Sequence, residues 1–311
     1  MFVALIAVIV ALVLGHVAPS LAASVRHFDW YGTWLRWLDA RLSQNEAWRG
    51  RFGIAFGLAP PLFAVALFQI ALHAPLLGLA GLLFGIAMLF YVWGPRDLDL
   101  DVDAVVEARD PVARREAAAR LSNGVHVTDT TAAGSSAPLD APALVEAVFR
   151  SALQRWFGVL FWFLLFGAVG ALLYRLVALA AEGEAHRALP PDNAYGAQRL
   201  LIALDWPVAQ LMTLSMALVG NFDTVIGAWK EAGGAAFRLD TGFLAAAGRA
   251  SVRSELADEA QDYAEQGVSA TGLATQLGEL PELRDAMSLV WRILLVWLAV
   301  LALFVVAGWV S

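Results

Sequence analysis

Residues Trp156–Ala180 read WFGVLFWFLLFGAVGALLYRLVALA, 25 residues with a single charge, Arg175. At about 1.5 Å of rise per residue, a helix of this length crosses a hydrocarbon core of about 30 Å. Plain leucine would serve that purpose. This stretch instead sets two glycines, a tyrosine and an arginine into its second half, GAVGALLYR. A guanidinium near mid-membrane costs roughly 3 kcal/mol even on the gentler insertion scales, so it is paired, snorkels to the interface, or serves a function.

The rest of the composition agrees with a lipid environment. Of 311 residues, 59% are hydrophobic and 16% charged, where a soluble domain averages about 25% charged. The mean hydropathy is +0.64. Apolar segments that must satisfy their own backbone polar groups in lipid are helices, so the expected fold is an all-α, polytopic membrane protein with four to six spans. The bilayer is then the first partner. A net charge of −7 points away from nucleic acid. The absence of cysteine excludes disulfides, thiol catalysis and cysteine-ligated metals.

Six segments qualify as spans: 2–18, 54–73, 76–94, 156–180, 200–219 and 289–310. The first competes with a signal-peptide reading, since APSLAAS resembles a small-residue cleavage site, but no positive charge precedes the apolar run. The second and third form a hairpin around His73-Ala74-Pro75, with Gly53/Gly57 and Gly81/Gly85 at a spacing that lets helix backbones approach. Pro60-Pro61 is expected to kink the second span or delay its start. Whether 200–219 crosses is open, because it contains Asp205 and Pro207.

Three polar loops separate the spans: 19–53, 95–155 and 220–287. In the first, Trp30, Trp34, Trp37 and Arg41 recur at helical spacing, as in an amphipathic helix lying among headgroups or an aromatic binding box. The second opens GPRDLDLDVD, whose alternating Asp97, Asp99, Asp101 and Asp103 would share one face of a strand and suit a hard cation, or else lead acidic residues into a helix start. It continues with a helical stretch, 103–122, a Ser/Gly/Pro linker, 128–142, and a helix, 143–155, running into the organising span. In the third, Gly233-Gly234 breaks a series of short helices. These loops carry five, seven and five basic residues, against two in 181–199, so the positive-inside rule places them in the cytoplasm and 181–199 outside.

No catalytic or cofactor motif is legible. Gly220 to Lys230 lacks the spacing of a phosphate-cradling loop, the five histidines are scattered, and there is no G-x-S-x-G turn, so no metal and no cofactor is expected. The candidate ligand-binding residues are Tyr174, Arg175, Asp205, Asn221 and Asp223. Arg175 and Asp205 would lie at one depth near the outer interface and pair across 181–199; alternatively Arg175 snorkels and Asp205 caps a helix. Gly167, Gly170 and Ala171 either pack tightly or leave a groove in which Tyr174 and Arg175 hold a small anionic ligand. Asn221 and Asp223 stand where a following helix would be capped.

GPRDLDLDVD, FWFLLFGAVGALLYRL, LDWPVAQL and GNFDTVIGAW, in this order and spacing, resemble the AmpE-type bacterial inner-membrane proteins, themselves related to the CobD/CbiB proteins, adenosylcobinamide-phosphate synthases of cobalamin assembly. The AmpE resemblance implies an accessory or signalling role in β-lactamase induction and the response to cell-wall-active antibiotics, with another cell-wall-response protein as a partner. The CobD/CbiB resemblance implies a membrane-bound, amide-forming enzyme. A Glu-Asn-x-x-Asp cluster of those synthases aligns here with Arg150, Ser151 and Gln154, and the asparagine and aspartate that follow Tyr-Arg align with Ala178 and Ala181. Losing those groups argues against retained synthase chemistry and favours a non-enzymatic role.

Overall fold

The computed structural model describes residues 2–17, 24–72, 78–94, 98–122, 140–236, 238–266 and 279–308. The main helices are α1 (Phe2–Val17), α2 (Asp29–Leu42), α3 (Ile54–Ala71), α4 (Gly78–Val92), α5 (Leu98–Glu107), α6 (Pro111–Ser122), α7 (Ala141–Ala152), α8 (Gly158–Phe166), α9 (Ala168–Glu182), α10 (Pro191–Val219), α11 (Phe222–Glu231), α12 (Gly242–Glu265) and α13 (Pro281–Val306). The protein is an all-α membrane protein. Among the described residues, α3, α10 and α13 are long and apolar enough to cross a bilayer, and Leu5–Gly15 and α4 are shorter apolar helices.

The chain forms two units. The first comprises Met1–Asp97, Gln154–Val208 and Leu298–Ser311. Its centre is the stretch that the sequence presents as one span, and the structure divides it. α8 ends at Gly167, whose φ of 67° and ψ of −148° belong to a region that is essentially glycine-only. α9 then folds back along α8. In a straight helix residues 158 and 174 would be about 24 Å apart; here a β-carbon on Gly158 would fall 2.1 Å from the Tyr174 ring. Likewise a β-carbon on Gly170 would fall 2.1 Å from the Trp162 carbonyl oxygen. Gly170 thus packs tightly, and the space beside Tyr174 is filled by backbone.

A reversal inside an apolar layer strands backbone groups that a continuous helix would have paired. Gln69 of α3 takes up two of them. Its amide nitrogen donates to the Phe166 carbonyl at 3.1 Å, and its carbonyl accepts from the Val169 N–H at 3.2 Å. At the other end, Gln154 donates to the Glu182 carboxylate at 2.8 Å. Residues 154 and 182 therefore meet at the base of one hairpin. This corrects the expectation that 181–199 emerges at the end opposite residue 155; the single-residue turn at Gly167 is the cause.

Around this hairpin α9 packs on α3 and α4, and α1 packs on α4 through Ala7, Val8 and Ala11. α2 buries Tyr31, Leu35 and Leu38 and exposes Trp30 and Trp37, the two-faced pattern expected from its helical spacing. Trp34 donates its indole N–H to the Gly57 carbonyl and stacks on Trp37. The helix holding Pro60 and Pro61 starts at Ile54, so the prolines do not delay it. α10 begins at Pro191, nine residues before the expected span, anchored where Asn193 donates to the Trp48 carbonyl.

The second unit comprises Leu98–Leu153 and Ala209–Trp297. The expected helix over 103–122 is two helices, α5 and α6. Leu98, Val102 and Val105 form the buried stripe of α5, so the acidic run lies on a helix, not a strand. Asp99 accepts from the Trp291 indole and Asp101 is buried. Asp97, the 73–75 turn and linker residues 128–139 lie outside the described residues. No cluster of His, Asp and Glu fit to hold a metal occurs among the described residues. α7 ends at Ala152, where a π-helical turn, Leu153–Phe157, begins. Phe149 of α7 fits against Gly248 of α12, and Glu146 pairs with Arg249 at 2.6 Å. α11 ends before Gly233-Gly234, as expected. α13 starts at Pro281, eight residues ahead of the expected final span.

Two outcomes test the hairpin. Cysteines replacing Gln154 and Glu182 should be joined by a short bis-maleimide; in one continuous span they would be about 42 Å apart and could not react together. Gln69→Leu should cost about 2–4 kcal/mol, read as a lowered unfolding midpoint in detergent, because two backbone groups lose their partner.

Candidate functional site

Arg175 lies two turns beyond Gly167 and is 5% exposed. Its Nε donates to the Val92 carbonyl at 2.8 Å. Val92 is the last residue of α4, where helix carbonyls lack intrahelical partners and the helix dipole is negative. A second arginine uses the same feature. Arg26, between α1 and α2, donates from Nε to the Phe90 carbonyl at 3.0 Å and from Nη1 to the Gly94 carbonyl at 2.9 Å. Its guanidinium also lies 5.0 Å from the centre of the Phe90 ring. A third, Arg155, lies along Gly94 so closely that a β-carbon there would come within 2.9 Å of the arginine Cβ. Three arginines from three parts of the chain thus converge on residues 90–94, each at least nine-tenths buried.

The local structure explains how they get there. Arg155 sits inside the π-turn, a geometry that re-aims side chains and recurs at functional sites. Arg175 faces inward because Gly158 admits Tyr174 and Gly170 lets α9 close on α8. Arg155 and Arg26 are the cations whose charges act on Arg175. The Arg175 guanidinium is 6.0 Å from the Phe28 ring centre, and its Nη2 is buried with no hydrogen-bond partner. Phe28 in turn lines a cavity of about 410 Å³ bounded also by Arg26, Asp29, Gly32, Arg36, Leu179 and Ala185.

Tyr174, Arg175 and Asp205 come together in the first unit, with a different pairing from the expected one. The Tyr174 hydroxyl donates to the Asp205 carboxylate at 2.5 Å. Arg175 instead binds a backbone carbonyl, so the Arg175–Asp205 ion pair is replaced by Tyr174–Asp205. Arg175, midway along α9, lies beside the end of α4. Trp162 fixes the neighbouring turn of α10 by donating to the Leu204 carbonyl at 3.2 Å. Asn221 and Asp223 belong to the second unit. The Asn221 side chain accepts from the Thr224 N–H at 3.1 Å as the N-cap of α11, and Asp223 is exposed in its first turn. Sequence reasoning missed Arg26 and Arg155. Arg155 had a signal, an arginine within a helix that continues into an apolar run; Arg26 had none.

These features define a helical membrane protein with a buried basic centre at the C-terminal end of α4. The chain belongs to the CobD/CbiB family: the profile described as "CobD/Cbib protein" matches residues 4–230, which contain the whole arginine centre. It is 29% identical over 269 residues to "Cobalamin biosynthesis protein CobD" of Stutzerimonas stutzeri (strain A1501), across 79% of this chain and 81% of that one. No solved structure matches.

Tyr174→Phe keeps the packed volume and removes the hydrogen bond to Asp205. It should lower stability by about 1–3 kcal/mol, measured as a shifted unfolding midpoint in detergent.

Proposed function

We propose that this chain is a membrane-bound enzyme of the CobD/CbiB type, acting in cobalamin biosynthesis at the bacterial inner membrane with an active site that has diverged. The observation that carries the reading is the match over residues 4–230, which takes in the arginine centre, Gln154 and Glu182. An amide-forming reaction needs fixed charges to orient its anionic groups, and preorganised cations in a water-poor site act strongly there. The arginines are the groups that would bind; the Gln154–Glu182 pair stands at the same hairpin base.

A second reading is an AmpE-type accessory protein of β-lactamase induction. One observation favours it: positions that carry acidic and amide groups in the synthases hold other partners here. Ser151 donates to the Leu121 carbonyl at 2.7 Å, and Ala178 and Ala181 are buried in the α9 packing.

Expression in a host lacking its own CobD/CbiB protein separates the two. Under the first reading the chain restores corrinoid-dependent growth, and Arg175→Ala abolishes the rescue while the protein is still inserted. Absence of rescue, together with altered β-lactamase induction when the native gene is deleted, would establish the second reading instead.

A further inference from the structure

We propose that the cleft between α7, α12 and the start of α13 binds a small apolar α-amino acid, its carboxylate on Arg253 and its ammonium group on Glu282. The inference is independent of the reaction the chain performs. Arg253 and Glu282 lie beyond residues 4–230, so the family match does not account for them. The cleft belongs wholly to the second unit, and two contacts fix its walls. Gly248 of α12 meets Phe149 of α7 so closely that a β-carbon there would fall 2.3 Å from the ring. At the next residue, Arg249 donates to the Glu146 carboxylate of α7 at 2.6 Å, which neutralises that arginine. One turn further along α12 stands Arg253, exposed, its guanidinium without a hydrogen bond or ion pair. Glu282, in the first turn of α13, is half-buried and its carboxylate likewise has none.

The cavity selects the ligand by size and by charge. Its volume is about 150 Å³, and a cavity of that size takes a molecule comparable to benzene. Val145, Val252 and Leu256 give it an apolar wall, and Arg253 and Glu282 line it with charges of opposite sign. These two come from different helices, and no ion pair joins them. Charges that share a cavity without cancelling each other can each take an outside partner. A guanidinium fork matches a carboxylate in two parallel hydrogen bonds, and a carboxylate accepts from an ammonium group. A simple anion would be set against Glu282, and a simple cation against Arg253. The ligand that fits carries both charges and a short apolar group, which is the chemistry of an amino acid such as valine. Both protein charges reach water, so solvent and salt screen them and the affinity expected is millimolar.

The test uses the full chain in a non-ionic detergent, titrated with L-valine and followed by saturation-transfer NMR of the ligand. L-Valine should bind with a millimolar dissociation constant that rises with added salt. Isovalerate, which lacks the ammonium group, and isobutylamine, which lacks the carboxylate, should each bind about tenfold more weakly. Arg253→Gln and Glu282→Gln should each weaken valine binding about tenfold, the loss of one charge-assisted hydrogen bond. Their unfolding midpoints should stay unchanged, because neither side chain has a partner to lose. Arg253→Gln should leave isobutylamine binding as it was, and Glu282→Gln that of isovalerate, a split that general damage to the fold would not produce. Arg115→Gln, on an exposed position of α6, should leave valine binding unchanged. Failure of L-valine to bind at tens of millimolar, or binding that neither cavity variant weakens, would overturn the site. Isovalerate or isobutylamine binding as tightly as L-valine would overturn recognition by two charges.

Discussion

The grip of Gln69 on the turn at Gly167 is the constraint on which the first unit depends. A helix can reverse within one residue only where backbone adopts an angle pair closed to side chains bearing a β-carbon, and glycine supplies that. The reversal then exposes a carbonyl and an N–H in an apolar layer, where each is expensive. One amide side chain can both donate and accept, and Gln69 does so across the break. A leucine there would satisfy the hydropathy of α3 and leave the turn unsupported. The glutamine in an otherwise apolar helix is explained by a requirement nearly a hundred residues away in sequence.

From that turn the placement of the site follows. Folding α9 along α8 puts Tyr174 against Gly158 and turns the next residue, Arg175, toward the end of α4. It also brings the π-turn with Arg155 to the same level as the exit of α9, where Gln154 meets Glu182. The arginine centre is a product of hairpin geometry: a straight span would have carried Arg175 about 30 Å away from residue 155.

This also marks where the sequence could be read and where it could not. Lipid solvation is a bulk property, so apolar length and the amphipathic spacing of Trp30, Trp34 and Trp37 were enough for the helical membrane fold and for α2. Asn221 as an N-cap was legible because capping is local. The hairpin was not, since 25 apolar residues have the length of one span or of two short arms, and hydropathy does not tell them apart. Gly167 and Gly170 signalled close packing without saying which of them turns the chain. The partner of Arg175 was a backbone carbonyl, and carbonyls carry no sequence signature.

The exchange of partners at Tyr174, Arg175 and Asp205 has a chemical consequence. Had Arg175 paired with Asp205, the two charges would have cancelled and the pair would have served packing alone. A phenol hydroxyl occupies the carboxylate instead, at 2.5 Å, and contributes no formal charge. Arg175 is left to a helix-terminal carbonyl, which stabilises a guanidinium through its dipole without neutralising it. Burial beside Arg26 and Arg155 is then tolerated by three carbonyls at the end of one helix, with one N–H-bearing nitrogen of Arg175 still unpaired. Packing alone would have been served by apolar residues of similar volume, which commonly match or exceed a buried polar arrangement in stability.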